Sequence, residues 1–351
     1  MSDRPPAAPA SSPPRRAMGR GSGPRPRFGL VLGAGGTVGL AYHAGVLRAL
    51  SRQLGLEPDR ADLIVGTSAG SVIAAYTRSG WSTGQMWDLV VASGDLPPMG
   101  EGEAEVGVGL PELFQAAFST PVELARRSLG SAYVLSRSMF RAPLPVLPDV
   151  VRRAFPGGLF VNAEGKRRFS EELPEEWPER ATWLCAVDIV SGRRIVLGRN
   201  RPPRTLTLQQ AVLASCAIPG AYPPVRYGRR ELIDGGAHST SNLDLAAKDG
   251  CDVVLGIIPM AYDQSDRPCL ALQATRRMAM RSLEGETQYA RRLGSQVLLI
   301  RPSAAEVRSH GTNLMRRAGL IGVARAAYES ASRLIDSDRF ASLGELASGG
   351  R

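Results

Sequence analysis

The sequence predicts an α/β protein whose mostly parallel sheet is covered by helices on both faces. Three observations point there. Apolar, β-branched runs of strand length alternate with helical runs. The loops between them are short. A later run, residues 252–258, is apolar enough to be a strand buried on both faces.

Residues 1–26 are rich in Pro, Ala, Ser, Gly and Arg and contain no apolar run, so they read as a disordered basic tail rather than a signal peptide. Residues 28–32 then form a first strand and 39–52 a helix. A second strand covers 63–65, and a helix over 69–76 begins almost at once. From 95 to about 180 the pattern degrades into prolines, a Gly/Glu-rich stretch at 100–109, and helical pieces at 122–129 and 146–155. This reads as a variable insertion, placed to cover a site. Regularity returns with a strand at 182–190, its hairpin partner at 194–197, and a helix at 206–214. Leu232 and Ile233 end a strand that runs into Asp234-Gly235-Gly236. A helix at 243–248, the buried strand at 252–258, a long helix at 270–293, a strand at 296–301 and a helix at 320–335 complete the pattern. One domain over 27–340, with a flexible end at 341–351, accounts for the chain.

The chain has 351 residues and a formal net charge of +10. Half of that excess lies in or beside the tail, where Arg4, Arg15, Arg16, Arg20, Arg25 and Arg27 face only Asp3. Such a tail has the charge to dock on anionic lipid. Nucleic acid is not expected as a partner, because no aromatic-studded basic surface accompanies the arginines. No apolar run approaches the ~20 residues of a membrane span. Those features predict a cytoplasmic protein with at most peripheral contact with an anionic membrane. On the long helix, Arg276, Arg277, Arg281, Arg291 and Arg292 read as a solvated face or, alternatively, as a surface for such contact. Cys185, Cys216, Cys251 and Cys269 are scattered without metal-ligand spacing, so neither a metal nor a disulfide framework is expected. Oligomeric state is not encoded in any pattern.

Two loops carry the chemistry. Gly66-Thr67-Ser68-Ala69-Gly70 joins the second strand to its helix, which is the strand–turn–helix context of a nucleophile elbow. There Gly66 and Gly70 leave room for a sharp turn, and Ser68 is lifted to a helix N-terminus that favours developing negative charge. The other loop, Gly33-Ala34-Gly35-Gly36-Thr37-Val38-Gly39, resembles a dinucleotide fingerprint. That use also needs an acid at the end of the second strand, and none is present. The same exposed amides at a helix N-terminus can instead form an oxyanion hole. Serine is a weak nucleophile without a base. Among His43, His238 and His310, the first lies within a helix, while the other two follow Asp234 in the Ser…Asp…His order of α/β-hydrolases. Asp234 itself ends an apolar strand before two glycines. It reads equally as a base at the sheet edge or as a turn aspartate.

With a glycine loop, Gly-x-Ser-x-Gly and Asp-Gly-Gly in that order, the chain resembles the bacterial branch of the patatin-like phospholipase family. Residues 45–50 (GVLRAL), 214–220 (ASCAIPG) and Pro223-Pro224 add to the likeness, which covers about residues 27–300. The resemblance implies a three-layer α/β/α patatin-like fold and a Ser–Asp dyad without histidine. Ser68 would be the nucleophile, Asp234 its base, and the amides of Gly35, Gly36 and Thr37 the oxyanion hole. It implies a lipid acyl hydrolase of phospholipase or lysophospholipase type that needs no cofactor. Ala34 replaces the first of the family's three successive glycines, and Val38 stands at its basic position. The rival readings are a Ser–His–Asp carboxylesterase using His238 and a non-catalytic lipid- or nucleotide-binding protein.

Overall fold

The computed structural model describes residues 25–94, 115–139, 145–199, 206–263 and 270–348. The expected tail over 1–26 therefore lies almost wholly outside the described residues, as does the Gly/Glu-rich stretch at 100–109. In chain order the first elements are β1 (Phe28–Leu32), α1 (Gly36–Leu54), β2 (Leu63–Thr67), α2 (Ala69–Arg78) and α3 (Thr83–Gly94). The insertion contributes β3 (Gln115–Ala116), α4 (Pro121–Met139), α5 (Asp149–Ala154), β4 (Phe160–Val161) and α6 (Ala163–Glu172). After it come β5 (Ala181–Asp188), β6 (Arg193–Leu197), α7 (Leu208–Ser215), β7 (Val225–Tyr227), β8 (Arg230–Asp234) and α8 (Asp244–Lys248). The chain then continues through β9 (Val253–Ile257), α9 (Leu270–Arg292), β10 (Gln296–Ile300), α10 (Ala304–His310), α11 (Leu320–Ile335) and α12 (Ala341–Ser348).

The central sheet runs β10-β9-β1-β2-β5-β8-β7, with β6 also on β5. The first five strands are mutually parallel, whereas β8, β7 and β6 join antiparallel. Side chains alternate along each strand and so supply two cores. Leu30, Leu32, Ile64, Leu184 and Leu255 pack under α1, α2, α7 and α11. Val31, Leu63, Val65, Cys185 and Val254 face the layer that includes α8 and α9. This is the three-layer α/β/α arrangement the sequence predicts.

Two expectations change. Arg276 does not belong to a solvated or bilayer-facing stripe: it is 1 % exposed, and its guanidinium donates to Pro259 O at 2.5 Å and Ala261 O at 3.1 Å. Arg277, Arg281, Arg291 and Arg292 do lie at the surface. Residues 341–348 form α12 instead of a loose end, seated by buried Leu343 beside Phe340. Leu232 and Ile233 do end a strand, β8, which enters the mostly parallel sheet antiparallel to β5.

That antiparallel register positions the site. Thr67 pairs with Cys185 across β2 and β5, so Ser68 leaves the sheet level with Ala186. Ala186 pairs with Asp234 on its other side. Ser68 and Asp234 thus emerge on either side of the same row of β5.

Candidate active site

Ser68 has φ 52° and ψ −119°, a left-handed conformation that a serine adopts only when its surroundings enforce it. Three buried contacts do so. The Ser68 amide donates to Ser215 Oγ at 3.0 Å, and Ser215 Oγ donates to Cys185 O at 2.7 Å. Ser71 Oγ donates to Ser68 O at 2.6 Å. Gly70 is required for a different reason: a Cβ there would meet Leu32 O at 1.9 Å. The elbow is therefore pressed onto the end of β1, beside the glycine loop.

That loop is anchored at both ends. Gly33 N donates to Ile257 O at 2.9 Å and Ala34 N to Thr240 O at 2.8 Å. On the far side Val38 N donates to Leu314 O at 3.1 Å, and Thr37 Oγ1 donates to Leu314 O at 3.1 Å and Arg316 O at 2.6 Å. Among the described residues, no acceptor meets the amides of Gly35, Gly36 and Thr37. They sit at the N-terminus of α1, where the helix field favours an anion. Ala34 is accommodated without strain, since only Ser68 and Asn242 among the described non-glycine residues have positive φ.

Asp234 is 6 % exposed and Ser68 8 %. Asp234 Oδ1 accepts the Gly236 amide at 2.7 Å, and the Ser68 hydroxyl is a hydrogen-bonding neighbour of the carboxyl. Burial raises the carboxyl pKa to about 6, and these two donors only partly offset that effect. Gly235 lets the chain turn against β5, where a Cβ would lie 2.4 Å from Cys185 O.

Ser68, Gly36, Thr37 and Ala69 open into a cavity of about 150 Å³. Its body is apolar, with Leu40, Val72, Ile73, Met86, Val90 and Phe169 among its walls. The insertion supplies Asn162, Glu164, Gly165, Arg168 and Phe169, so α6 is the part of it that covers the site. Tyr76 also lines the cavity, its hydroxyl donating to Glu172.

The histidines take other places. His43 is buried with Nε2 on Gly33 O at 2.8 Å, and burial lowers its pKa to about 4. His310 is buried 3.3 Å from the Arg276 guanidinium, with its pKa lowered to about 3 by burial and by Arg276. His238 is half-buried on the turn after Asp234 and does not line the cavity. Among the described residues, no group of three His, Cys, Asp or Glu side chains could hold a metal, and no helix is long and apolar enough to cross a membrane. Cys185 and Cys251 are buried, and Cys216 lies at the cavity wall with its thiol pKa pushed up to about 12 by burial.

The Ser215 bridge and the clasp over 314–316 leave no signal in the sequence. A serine at a helix end and a polar stretch between two helices carry no local mark of what they touch.

Two solved structures are similar to this chain at low identity. VipD from Legionella pneumophila is 12 % identical, with a TM-score of 0.41, over 89 % of this chain and 67 % of that one. The type III effector ExoU is 16 % identical, with a TM-score of 0.37, over 92 % of this chain and 54 % of that one, so this chain spans about half of ExoU. The family model described as patatin-like phospholipase matches residues 30–247, well over half of the chain, and includes the glycine loop, Ser68 and Asp234. The chain belongs to the patatin-like phospholipase family.

Proposed function

We propose that the protein hydrolyses carboxylic esters of lipids through a Ser68–Asp234 dyad and an acyl-enzyme. The observation that carries this reading is a serine held at positive φ at the mouth of an apolar cavity, with the buried Asp234 carboxyl, of pKa about 6, as its hydrogen-bonding neighbour. Above that pKa the carboxylate is charged and is a stronger base than an exposed aspartate.

In this reading Asp234 takes the Ser68 proton as Oγ attacks the ester carbonyl. Negative charge develops on the carbonyl oxygen, and the amides of Gly35, Gly36 and Thr37 donate to it. Preorganised donors of this kind supply much of the rate enhancement in acyl transfer, about 10²–10³ for each donor removed. As the intermediate collapses, protonated Asp234 returns its proton to the departing alcohol. Water then attacks the acyl-serine while Asp234 accepts its proton, and Asp234 returns that proton to Ser68 Oγ as the fatty acid leaves. Val38 supplies no cation near the oxyanion, so stabilisation rests on backbone amides and the α1 N-terminus.

The test is covalent labelling by a fluorophosphonate lipid analogue, alongside ester hydrolysis, with Ser68→Ala, Asp234→Asn and His238→Ala. Loss in the first two variants and retention in the third supports the dyad. Loss in His238→Ala favours a Ser–His–Asp esterase, and an unlabelled wild type that does not cleave esters favours a binding protein.

A further inference from the structure

The cavity has charged walls as well as apolar ones, and the charges come as an acid and a base. Among its described lining residues the charged ones are Glu164, Arg168 and Arg317. Arg168 is committed within α6 to Glu172, at 3.2 and 3.4 Å, and Glu172 also accepts the Tyr76 hydroxyl. Glu172 does not line the cavity, so that pair is part of the wall. Arg317 and Glu164 differ: they come from separate segments, meet at 3.1 Å, and both face the cavity. Their side chains are 23 % and 18 % exposed.

A pair this far from solvent is costly to leave with one partner missing, so only a ligand that supplies both counter-charges can take its place without loss. What it offers a ligand is a guanidinium and a carboxylate side by side. A guanidinium binds phosphate oxygens in a bidentate fork, and a carboxylate accepts N–H bonds from an ammonium. We propose that the Arg317–Glu164 pair is a headgroup site, opening to place phosphate on Arg317 and a primary ammonium on Glu164, so that a zwitterionic phospholipid or its lyso form is selected. An acidic headgroup satisfies Arg317 but sets a further negative charge beside Glu164. A glycerol headgroup leaves both charges paired to each other and gains nothing from them. The inference rests on the lipid-hydrolase reading and adds a substrate class to it.

The test uses non-cleavable ether lipids with one common alkyl chain and three headgroups: phosphoethanolamine, phosphoglycerol and glycerol. Each is titrated into Ser68→Ala protein, and the matching esters are offered to wild type. The phosphoethanolamine lipid should bind about tenfold tighter than the other two, the scale of one charge-assisted hydrogen bond. Adding Arg317→Gln should reduce its advantage over the glycerol lipid to the part the ammonium gains from Glu164, and adding Glu164→Gln should erase its advantage over the phosphoglycerol lipid. The order of the three affinities with the pair intact needs no folded variant of the pair. Equal binding of the three lipids, or tighter binding of phosphoglycerol, overturns the proposal. Cleavage of all three esters without headgroup preference overturns it and leaves the hydrolase reading standing. Binding in the expected order without cleavage does the reverse.

Discussion

Replacing Asp234 by asparagine separates what the carboxylate does chemically from what it costs the fold. The amide keeps the shape and an oxygen for the Gly236 N–H, now 2.7 Å from Oδ1. Ionisation is removed, and one carboxyl oxygen becomes an N–H donor. Burial raises the Asp234 pKa from 3.8 to about 6. A carboxyl with a higher pKa folded than unfolded supports the native state while protonated. That support is complete below the unfolded value and is lost as pH rises through the folded one. A shift of about two units, at 1.36 kcal/mol each, makes the ionised group cost about 3 kcal/mol above pH 7. About half of this has accumulated by pH 5, because the unfolded chain has already ionised there. Between pH 5 and pH 8 wild type should therefore lose on the order of 1.5 kcal/mol relative to Asp234→Asn.

Urea unfolding of both proteins from pH 5 to pH 8 measures that gap, and groups common to the two chains, including the buried histidines, cancel in it. The variant should be more stable at pH 8, its advantage shrinking toward pH 5, and it should no longer hydrolyse esters. A gap that does not vary with pH refutes a raised, buried carboxyl. A variant that still turns over refutes Asp234 as the base, whatever its stability.

Other perturbations probe the frame around Ser68 and Asp234. Gly36 has φ +60°, and a Cβ there would meet Leu314 O at 2.5 Å; Gly36→Ala should cost about 1–3 kcal/mol and lower kcat about a hundredfold in steady-state ester hydrolysis. Ser215→Ala leaves the buried Ser68 amide without its acceptor, which should cost about 1–3 kcal/mol in urea unfolding and slow labelling of Ser68. His43 and His310 are held neutral, with pKa values of about 4 and about 3. Their contribution is present above the ordinary histidine value and is lost as pH falls toward 4, on the order of 3 kcal/mol for His43. Unfolding midpoints of wild type and His43→Gln between pH 7 and pH 4 should diverge by that order, with the variant less acid-sensitive.

The parts of the site legible in the sequence are those in which turn chemistry is local. Gly66 to Gly70 demands a sharp turn, Gly33 to Gly39 an open loop at a helix start, and Asp234 to Gly236 an acid at the end of a strand. Each is a property of a few adjacent residues. Which of these meet is a matter of register, and register is set by pairings between strands far apart in the chain. The antiparallel entry of β8 beside β5, which levels Asp234 with Ser68 across Ala186, leaves no periodic trace. Arg276 shows the same limit from the other side. Arg277 and Arg281 on the same helix are exposed, whereas the carbonyls of Pro259 and Ala261 and the His310 ring hold Arg276 inside.

The match to the family ends at residue 247, yet the loop that would hold the oxyanion is fastened from beyond it. Ile257 O takes the Gly33 amide, and Leu314 O and Arg316 O take Val38 N and the Thr37 hydroxyl. β9 flanks β1, so without it the strand carrying the glycine loop would become a sheet edge. Further along, α11 packs against α1 so closely that a Cβ on Gly45 would stand 2.2 Å from Ala324 O. Oxyanion stabilisation depends on donors fixed before the charge develops, and these contacts do the fixing. The unit that positions the site therefore extends through α11, and the residues after 247 belong to it as much as the motifs do.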